Sequence, residues 1–135
     1  MEVILSIKPK YAKRIFNGTK KYEFRKRIFK NKNIDIIIVY ATSPVKKLVG
    51  YFLIDKIIKT SPEELWEMSK EKAGISKQKF FSYFNEREVA FGIKIKKAVQ
   101  FNPKIPPEEL ISDFYPPQSF RYCNVFTTQM ITSYM

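Results

Sequence analysis

Residues 17–27 read Asn-Gly-Thr-Lys-Lys-Tyr-Glu-Phe-Arg-Lys-Arg, and they join the end of a helix to a strand whose two faces differ in chemistry. Asn17 and Gly18 form the kind of pair that ends a helix with a left-handed residue. Apolar and charged side chains then alternate, with Tyr22 and Phe24 on one side of the chain. The opposite side carries three charged residues, Lys21, Glu23 and Arg25. The alternation predicts a strand with one face towards the core and one charged face.

A single carboxylate stands among five cations in this stretch. The carboxylate is Glu23, and the cations are Lys20, Lys21, Arg25, Lys26 and Arg27. Opposite charges hold a carboxylate ionised, and the carboxylate in turn orients the cations around it. The alternative interpretation is a solvated edge strand, whose surface ion pairs stabilise the fold little.

The length of 135 residues fits one domain that buries a core without disulfide or metal staples. We expect a single domain over 1–135, with its core in 1–122 and a tail over 123–135. The apolar fraction is 44%, and no apolar run approaches the roughly 18 residues that a membrane span needs. The chain begins without a basic and apolar leader, and its single cysteine, Cys123, suits a reducing compartment. A cytoplasmic protein that does not bind membranes is therefore expected.

The net charge of +12 is concentrated in the first part of the chain. Residues 1–60 carry 15 Lys and Arg against 4 Asp and Glu, whereas residues 61–135 carry 10 against 9. Such an asymmetry suits phosphate backbones, anionic membrane surfaces or acidic ligands. A lysine-rich surface that only keeps the protein soluble is the alternative.

Hydrophobic periodicity predicts five strands, over 2–7, 20–28, 34–40, 47–58 and 89–99. Helices are predicted over 9–17, over 62–72 after a capping box that begins at Ser61, and from Ser76 through 84. Residues 103–110 are expected to form a proline-rich turn, and Gly50 indicates a bulge or a close backbone approach. Because the strands mostly follow one another, the order favours an α+β domain with a mixed or mostly antiparallel sheet. Closure into a small barrel would remove the sheet edges.

The sequence lacks histidine, which excludes imidazole bases and histidine metal ligands. One cysteine disfavours structural zinc, and the four glycines lie too far apart for a phosphate-binding loop or a dinucleotide fingerprint. We therefore expect no metal and no cofactor. Lys20 and Glu23 are the candidate pair for proton transfer, provided that burial lowers the lysine pKa. A plain ion pair is the alternative.

Aromatic side chains accept stacked bases without sequence preference. The candidates for such stacking are Tyr11, Tyr40, Tyr115, Phe120 and Tyr122. Each of them also fits a position in the core, and Tyr22 and Phe24 are expected to be core residues.

Several segments together suggest a family. They are the strand and helix at the start, the run from Gly18 to Arg25, the Val-Gly-Tyr-Phe strand at 49–52 and the Phe-Gly-Ile-Lys-Ile strand at 91–95. Over residues 1–122 the sequence resembles the activating-signal-cointegrator homology (ASCH) domain of the superfamily similar to the pseudouridine-synthase/archaeosine-transglycosylase (PUA) domain. The family's Gly-x-Lys-x-x-Glu-x-Arg pattern falls on Gly18, Lys20, Glu23 and Arg25.

Residues 116–122 are similar to the end signature of a prokaryotic PUA-like branch. The resemblance implies a small β-barrel of five to six mixed or antiparallel strands with two to three flanking helices. It also implies a cleft beside the Gly-x-Lys motif that takes RNA or a modified nucleobase.

The resemblance further implies chemistry that some members perform. One branch hydrolyses N4-acetylcytidine with a lysine, a threonine nucleophile and a glutamate. Lys20 matches that lysine, but Glu23 stands where the threonine is expected, and the carboxylate position falls near 71–73. Ribonuclease activity is attributed to other members.

The leading hypothesis is a PUA-like module that binds RNA or a nucleotide-like ligand in this basic cleft. Its expected ligand contacts are Lys20, Lys21, Glu23, Arg25, Arg27, Ser119 and Arg121. One alternative is a hydrolase that acts on a nucleoside or RNA through Lys20 and Glu23. Another is a protein-interaction module in transcriptional regulation, whose basic face meets an acidic partner.

Overall fold

The computed structural model describes residues 1–124, which form six strands and three α-helices. The strands are β1 (Glu2–Ile7), β2 (Tyr22–Arg25), β3 (Ile36–Ala41), β4 (Lys47–Thr60), β5 (Ala90–Ile105) and β6 (Phe120–Cys123). The α-helices are α1 (Pro9–Phe16), α2 (Pro62–Ser69) and α3 (Lys77–Tyr83), and two 3₁₀ turns cover Lys70–Lys72 and Pro107–Glu109. Across residues 1–124, no helix is both long enough and apolar enough to pass through a membrane.

The six strands form one mixed sheet in the order β2-β5-β4-β3-β1-β6. The pair β1 and β3 is parallel, and the other four neighbouring pairs are antiparallel. A parallel pair needs a crossover connection, and the chain supplies it with α1 and β2 between β1 and β3. The predicted α+β class with a mixed sheet is confirmed.

The sheet is not closed into the expected barrel. β2 and β6 lie at its two ends, and no ladder joins them within residues 1–124. A side chain spans the gap instead, because Nη2 of Arg25 in β2 donates to the Ser6 carbonyl oxygen at 2.8 Å. Nη1 of the same guanidinium donates to the Ser119 carbonyl oxygen, just before β6, at 3.4 Å. The fold is therefore an open sheet whose ends one arginine connects.

Strand β3 is apolar throughout because both of its faces are covered, as strands with two buried faces require. Ile37 and Val39 pack in one cluster with residues of α1, whereas Ile38 and Tyr40 pack in a second cluster on the opposite face. A third cluster joins β2 to the helices, and it contains Phe24, Leu65, Phe80 and Phe84.

The helix starts follow the predicted capping chemistry. The Ser61 hydroxyl accepts from the Glu64 N–H at 3.2 Å, and the Ser76 hydroxyl accepts from the Lys79 N–H at 3.2 Å. Both bonds satisfy an N–H that the first helical turn leaves without a partner. The predicted helix over 62–72 is α2 followed by a 3₁₀ turn.

Gly50 is a point of close approach, as predicted. A Cβ atom built there would lie 2.5 Å from two ring atoms of Phe16 and 2.5 Å from the Val99 carbonyl oxygen. The sheet register also shifts between Leu48 and Gly50. The last residue of α1 therefore rests on sheet backbone that carries no side chain.

Three predicted boundaries are corrected. β2 covers only Tyr22–Arg25 instead of 20–28, because Lys20 turns inward and the Lys21 N–H donates to the Lys72 carbonyl at 2.8 Å. β5 continues to Ile105, so the first residues of the predicted turn over 103–110 belong to a strand. β6 was not predicted, and its last residue, Cys123, lies in the predicted tail. The rest of that tail, 125–135, lies outside the described residues.

Candidate functional site

A cleft of about 390 Å³ opens between α1, β2, α3 and the end of β1. Its charged lining includes Lys20, Glu23 and Arg25, and its aromatic lining is Tyr11, Phe24 and Tyr83. Three residues of the Gly-x-Lys-x-x-Glu-x-Arg pattern therefore meet in one concave site.

Lys20 is a buried lysine, with 3% of its surface exposed. Its Nζ donates to the Ala73 carbonyl oxygen at 2.7 Å. The same Nζ lies 4.6 Å from the ring centroid of Phe24 and 5.4 Å from that of Tyr11, within reach of cation–π attraction. Carbonyl and ring faces thus replace part of the water that an exposed ammonium would bind.

The pKa of Lys20 is lowered from 10.5 to about 8, chiefly because burial disfavours the charged ammonium. The negative charge of Glu23 opposes this effect, and the positive charges of Arg14 and Arg25 add to it. Near neutral pH a measurable fraction of Lys20 is therefore the neutral amine, which can accept a proton.

Glu23 and Arg25 form an ion pair with 3.0 Å between Oε2 and Nη2. Only 9% of the Glu23 side chain and 12% of the Arg25 side chain are exposed. β2 is an edge strand, as the alternative interpretation had it, but its Glu23–Arg25 pair is not a solvated surface ion pair. Since Arg25 also donates to two main-chain carbonyls, its guanidinium is fixed from several directions.

Phe24 has the core role predicted for it and also forms part of the cleft. Its ring meets that of Phe80 edge to face, with 4.9 Å between centroids. Tyr83, the last residue of α3, lies on the opposite wall, and Nζ of Lys26 sits 4.8 Å from its ring centroid. Each aromatic ring of the cleft lining thus has a lysine ammonium near it.

Gly74 holds the turn behind Lys20 in a conformation that favours glycine, with φ of +65°. A Cβ atom on Gly74 would lie 2.4 Å from Cβ of Lys20, and Nη1 of Arg14 donates to the Gly74 carbonyl at 2.9 Å. This turn fixes the lysine although it is distant in sequence.

The family model described as the ASCH domain matches residues 5–100. The chain belongs to the ASCH domain family. An ASCH domain-containing ribonuclease of Zymomonas mobilis is 31% identical over 134 residues, which span 98% of this chain and 90% of that protein. A crystal structure of an ASCH protein from Zymomonas mobilis superposes with a TM-score of 0.87 at 30% identity, over 98% of this chain and 94% of the other.

A second kind of relative shares less of its length with this ASCH domain. The large ribosomal subunit protein uL22 of Ureaplasma parvum is 27% identical over 103 residues, which cover 76% of this chain and 33% of that protein. The likeness therefore concerns a segment of the ribosomal protein.

The other predicted ligand contacts of this ASCH domain lie outside the cleft lining. Lys21 and Arg27 are exposed, and neither lines it. Ser119 reaches the site only through its carbonyl, which accepts from Arg25. Arg121 instead lies against Tyr115, with 4.6 Å between its Cζ and the ring centroid.

Among the predicted stacking residues, Tyr11 lines the cleft. The prediction that Tyr40 is available for base stacking is corrected, because only 4% of the residue is exposed and its ring packs on Phe114. The Phe120 ring packs on Phe29. The Tyr122 hydroxyl accepts from the N–H groups of Lys30 and Asn31, each at 3.0 Å.

The expected carboxylate near 71–73 is not part of the cleft. Glu71 is exposed in the 3₁₀ turn, and a main-chain carbonyl, that of Ala73, meets Lys20. Within residues 1–124, no group of three or more acidic or cysteine side chains is arranged to hold a metal ion.

Among the lining residues that sequence reasoning missed are Lys79, Ser82 and Tyr83 of α3. The helix over 76–84 was predicted, but no local signal shows that these residues face the cleft. The link is tertiary, since Phe80 packs on Phe24 of β2.

Proposed function

We propose that this ASCH domain binds RNA in the cleft that contains Lys20, Glu23 and Arg25. The observation that carries the proposal is the buried lysine beside a largely buried ion pair, within a concave site that has aromatic walls. Likeness along almost the whole chain to a protein named as a ribonuclease supports RNA as the ligand.

Each side of the cleft supplies one kind of contact that RNA requires. Tyr11 and Tyr83 offer ring faces to unstacked bases, the main route by which proteins read single-stranded RNA. Lys20 and Arg25 offer positive charge to phosphate, and Glu23 accepts from a base amino group. The basic first part of the chain attracts the phosphate backbone over a longer distance.

RNA cleavage is the second candidate function, and the lowered pKa of Lys20 favours it. The neutral Lys20 amine takes the proton from a ribose 2′-hydroxyl, and the 2′-oxygen attacks the adjacent phosphorus. The bond from phosphorus to the 5′-oxygen breaks, and that oxygen takes a proton from water. Arg25 stabilises the negative charge that develops on the phosphoryl oxygens. The products are a 2′,3′-cyclic phosphate end and a 5′-hydroxyl end.

A binding titration followed by analysis of the same RNA tests both functions. Fluorescently labelled, mixed-sequence single-stranded RNA is titrated with the wild type and with Lys20→Met, and the recovered RNA is analysed by mass spectrometry. Lys104→Met is the matched control, because Lys104 is an exposed lysine of β5 outside this cleft.

Weaker binding by Lys20→Met than by Lys104→Met supports the cleft as the RNA site. Cyclic phosphate ends that disappear in Lys20→Met support cleavage, whereas intact RNA leaves binding alone as the function. A wild type that does not bind RNA, or a Lys20→Met variant that binds as the control does, overturns the proposal.

A further inference from the structure

Three cations surround the ring of Tyr11 at the edge of the cleft. The distances to the ring centroid are 5.0 Å from Lys10 Nζ, 5.5 Å from Arg14 Cζ and 5.4 Å from Lys20 Nζ. Lys20 is the buried group of the cleft floor, whereas Lys10 and Arg14 are exposed on α1. The proposed RNA site does not use these two outer cations.

A fourth cation approaches this group from the opposite wall. Lys79 of α3 lines the cleft, and it is near enough to Lys10 for their positive charges to repel each other. The charge of Lys10, with a smaller effect from Arg14, lowers the pKa of Lys79. Two helices therefore bring like charges together, although exposed lysine side chains are long enough to turn apart.

No carboxylate forms an ion pair with Lys10, Arg14 or Lys79 within the described part of the chain. The ion pairs found in residues 1–124 are Met1 with Glu2, Arg25 with Glu23, Lys70 with Glu67 and Lys94 with Asp55. Lys10, Arg14 and Lys79 are in none of them. Arg14 uses Nη1 for the Gly74 carbonyl, and a guanidinium has four further N–H donors for an anion.

We infer that Lys10, Arg14 and Lys79 form a phosphate subsite, the α1–α3 lip, at the mouth of the cleft. This inference rests on the proposed function, and it specifies the ligand as a nucleotide chain with phosphodiester links instead of a free nucleoside. The nucleotide in the cleft is held at Lys20, Glu23 and Arg25, while the lip binds a neighbouring backbone phosphate. One phosphate has enough acceptor oxygens for both ammonium groups and the guanidinium, and its charge relieves their mutual repulsion.

The test compares two double variants that remove the same charge from the same two helices. Lys10→Ala with Lys79→Ala, the lip variant, removes two of the three lip cations, one from each helix. Lys13→Ala with Lys77→Ala is the matched control, because both lysines are exposed on α1 and α3 and neither lines the cleft. Each protein is titrated with the labelled single-stranded RNA over a series of KCl concentrations.

The lip variant is expected to bind several-fold more weakly than the control. Its logarithmic salt slope is expected to be shallower by about 0.7, the amount for one phosphate contact on a single strand. A second RNA with uncharged methylphosphonate links removes the partner of the lip. With this probe, the lip variant and its control are expected to bind equally.

The outcomes separate this inference from the proposed function. If the lip variant and its control have the same affinity and salt slope, while Lys20→Met still weakens binding, the lip is refuted and the RNA cleft stands. If a difference between them persists with the uncharged links, the lip acts on something other than phosphate and the inference fails. If the wild type binds no RNA, both proposals fail.

Discussion

The ammonium of Lys20 donates to the carbonyl oxygen of Ala73 at 2.7 Å, and this bond joins the start of the basic stretch over 20–27 to the turn after α2. The position of the lysine is therefore set by residues about fifty places further along the chain, as much as by the adjacent strand β2. Changes in that turn are expected to alter Lys20 without touching it chemically.

Gly74→Ala tests this dependence, and Gly18→Ala is its control. Both glycines have positive φ, of +65° and +87°, so both variants are expected to lose about 1–2 kcal/mol of unfolding free energy from the backbone alone. The added methyl of Gly74→Ala also meets Lys20, whereas nothing lies within 4 Å of a Cβ on Gly18. Gly74→Ala is therefore expected to lose more stability in urea unfolding and to bind RNA more weakly. Equal losses in the two variants would show that the turn does not position the lysine.

The lowered pKa of Lys20 predicts a pH dependence of stability. Between pH 8 and 10.5 the unfolded chain still holds the proton that the folded protein has released, so the stability contribution of this group rises with pH. Below about pH 8 both states are protonated, and the cost of the buried ammonium is constant. The unfolding free energy of the wild type relative to Lys20→Met is expected to increase on the order of 3 kcal/mol across this window.

Urea unfolding of both proteins at several pH values measures this difference. Lys104→Met serves again as the control, because its lysine is exposed. A difference between wild type and Lys20→Met that stays constant from pH 8 to 10.5 would contradict a buried lysine with a lowered pKa.

Glu23→Gln is expected to lower the pKa of Lys20 further. The carboxylate raises that pKa, and the amide keeps an oxygen for Arg25 while removing the charge. Lysine-selective NMR, which follows the Cε shift of Lys20 against pH, measures the change. Glu71→Gln is the control because Glu71 is exposed outside the cleft. A midpoint for Lys20 that rises in Glu23→Gln would overturn this assignment of charges.

Arg25→Lys is expected to loosen the end of the sheet. A lysine ammonium cannot reach the carbonyl oxygens of Ser6 and Ser119 at the same time, as the Arg25 guanidinium does. Hydrogen bonds to charged groups are each worth about 1.5–3 kcal/mol. Amide hydrogen exchange in β6 is therefore expected to accelerate, relative to Arg27→Lys at an exposed site. Unchanged protection of Phe120 to Cys123 would show that β6 is held by β1 alone.

Local chemistry predicted most of the elements and three of the charged residues that line the cleft. Ser61 and Ser76 cap helices as expected, and Gly50 marks a close approach, because capping bonds and steric contacts depend on a few neighbouring atoms. The motif residues Lys20, Glu23 and Arg25 share a cleft because one strand and its entry carry all three.

The burial of Tyr40 and Lys20 and the formation of β6 depend on contacts between residues far apart in the sequence, which local patterns do not reveal. Tyr40 was a candidate for base stacking, but β3 is covered on both faces, so its ring is buried. β6 is short, and it forms because β1 offers a free edge. The burial of Lys20 depends on Ala73 and Gly74, and nothing near residue 20 in the sequence indicates them.

The contact between Phe16 and Gly50 places one end of α1 directly on sheet backbone. The same helix carries Tyr11, which lines the cleft, and Arg14, whose guanidinium lies near the Tyr11 ring. A side chain at position 50 would press on the Phe16 ring and is expected to change the tilt of α1 against the sheet. The width of the cleft would then depend on a residue that does not line it.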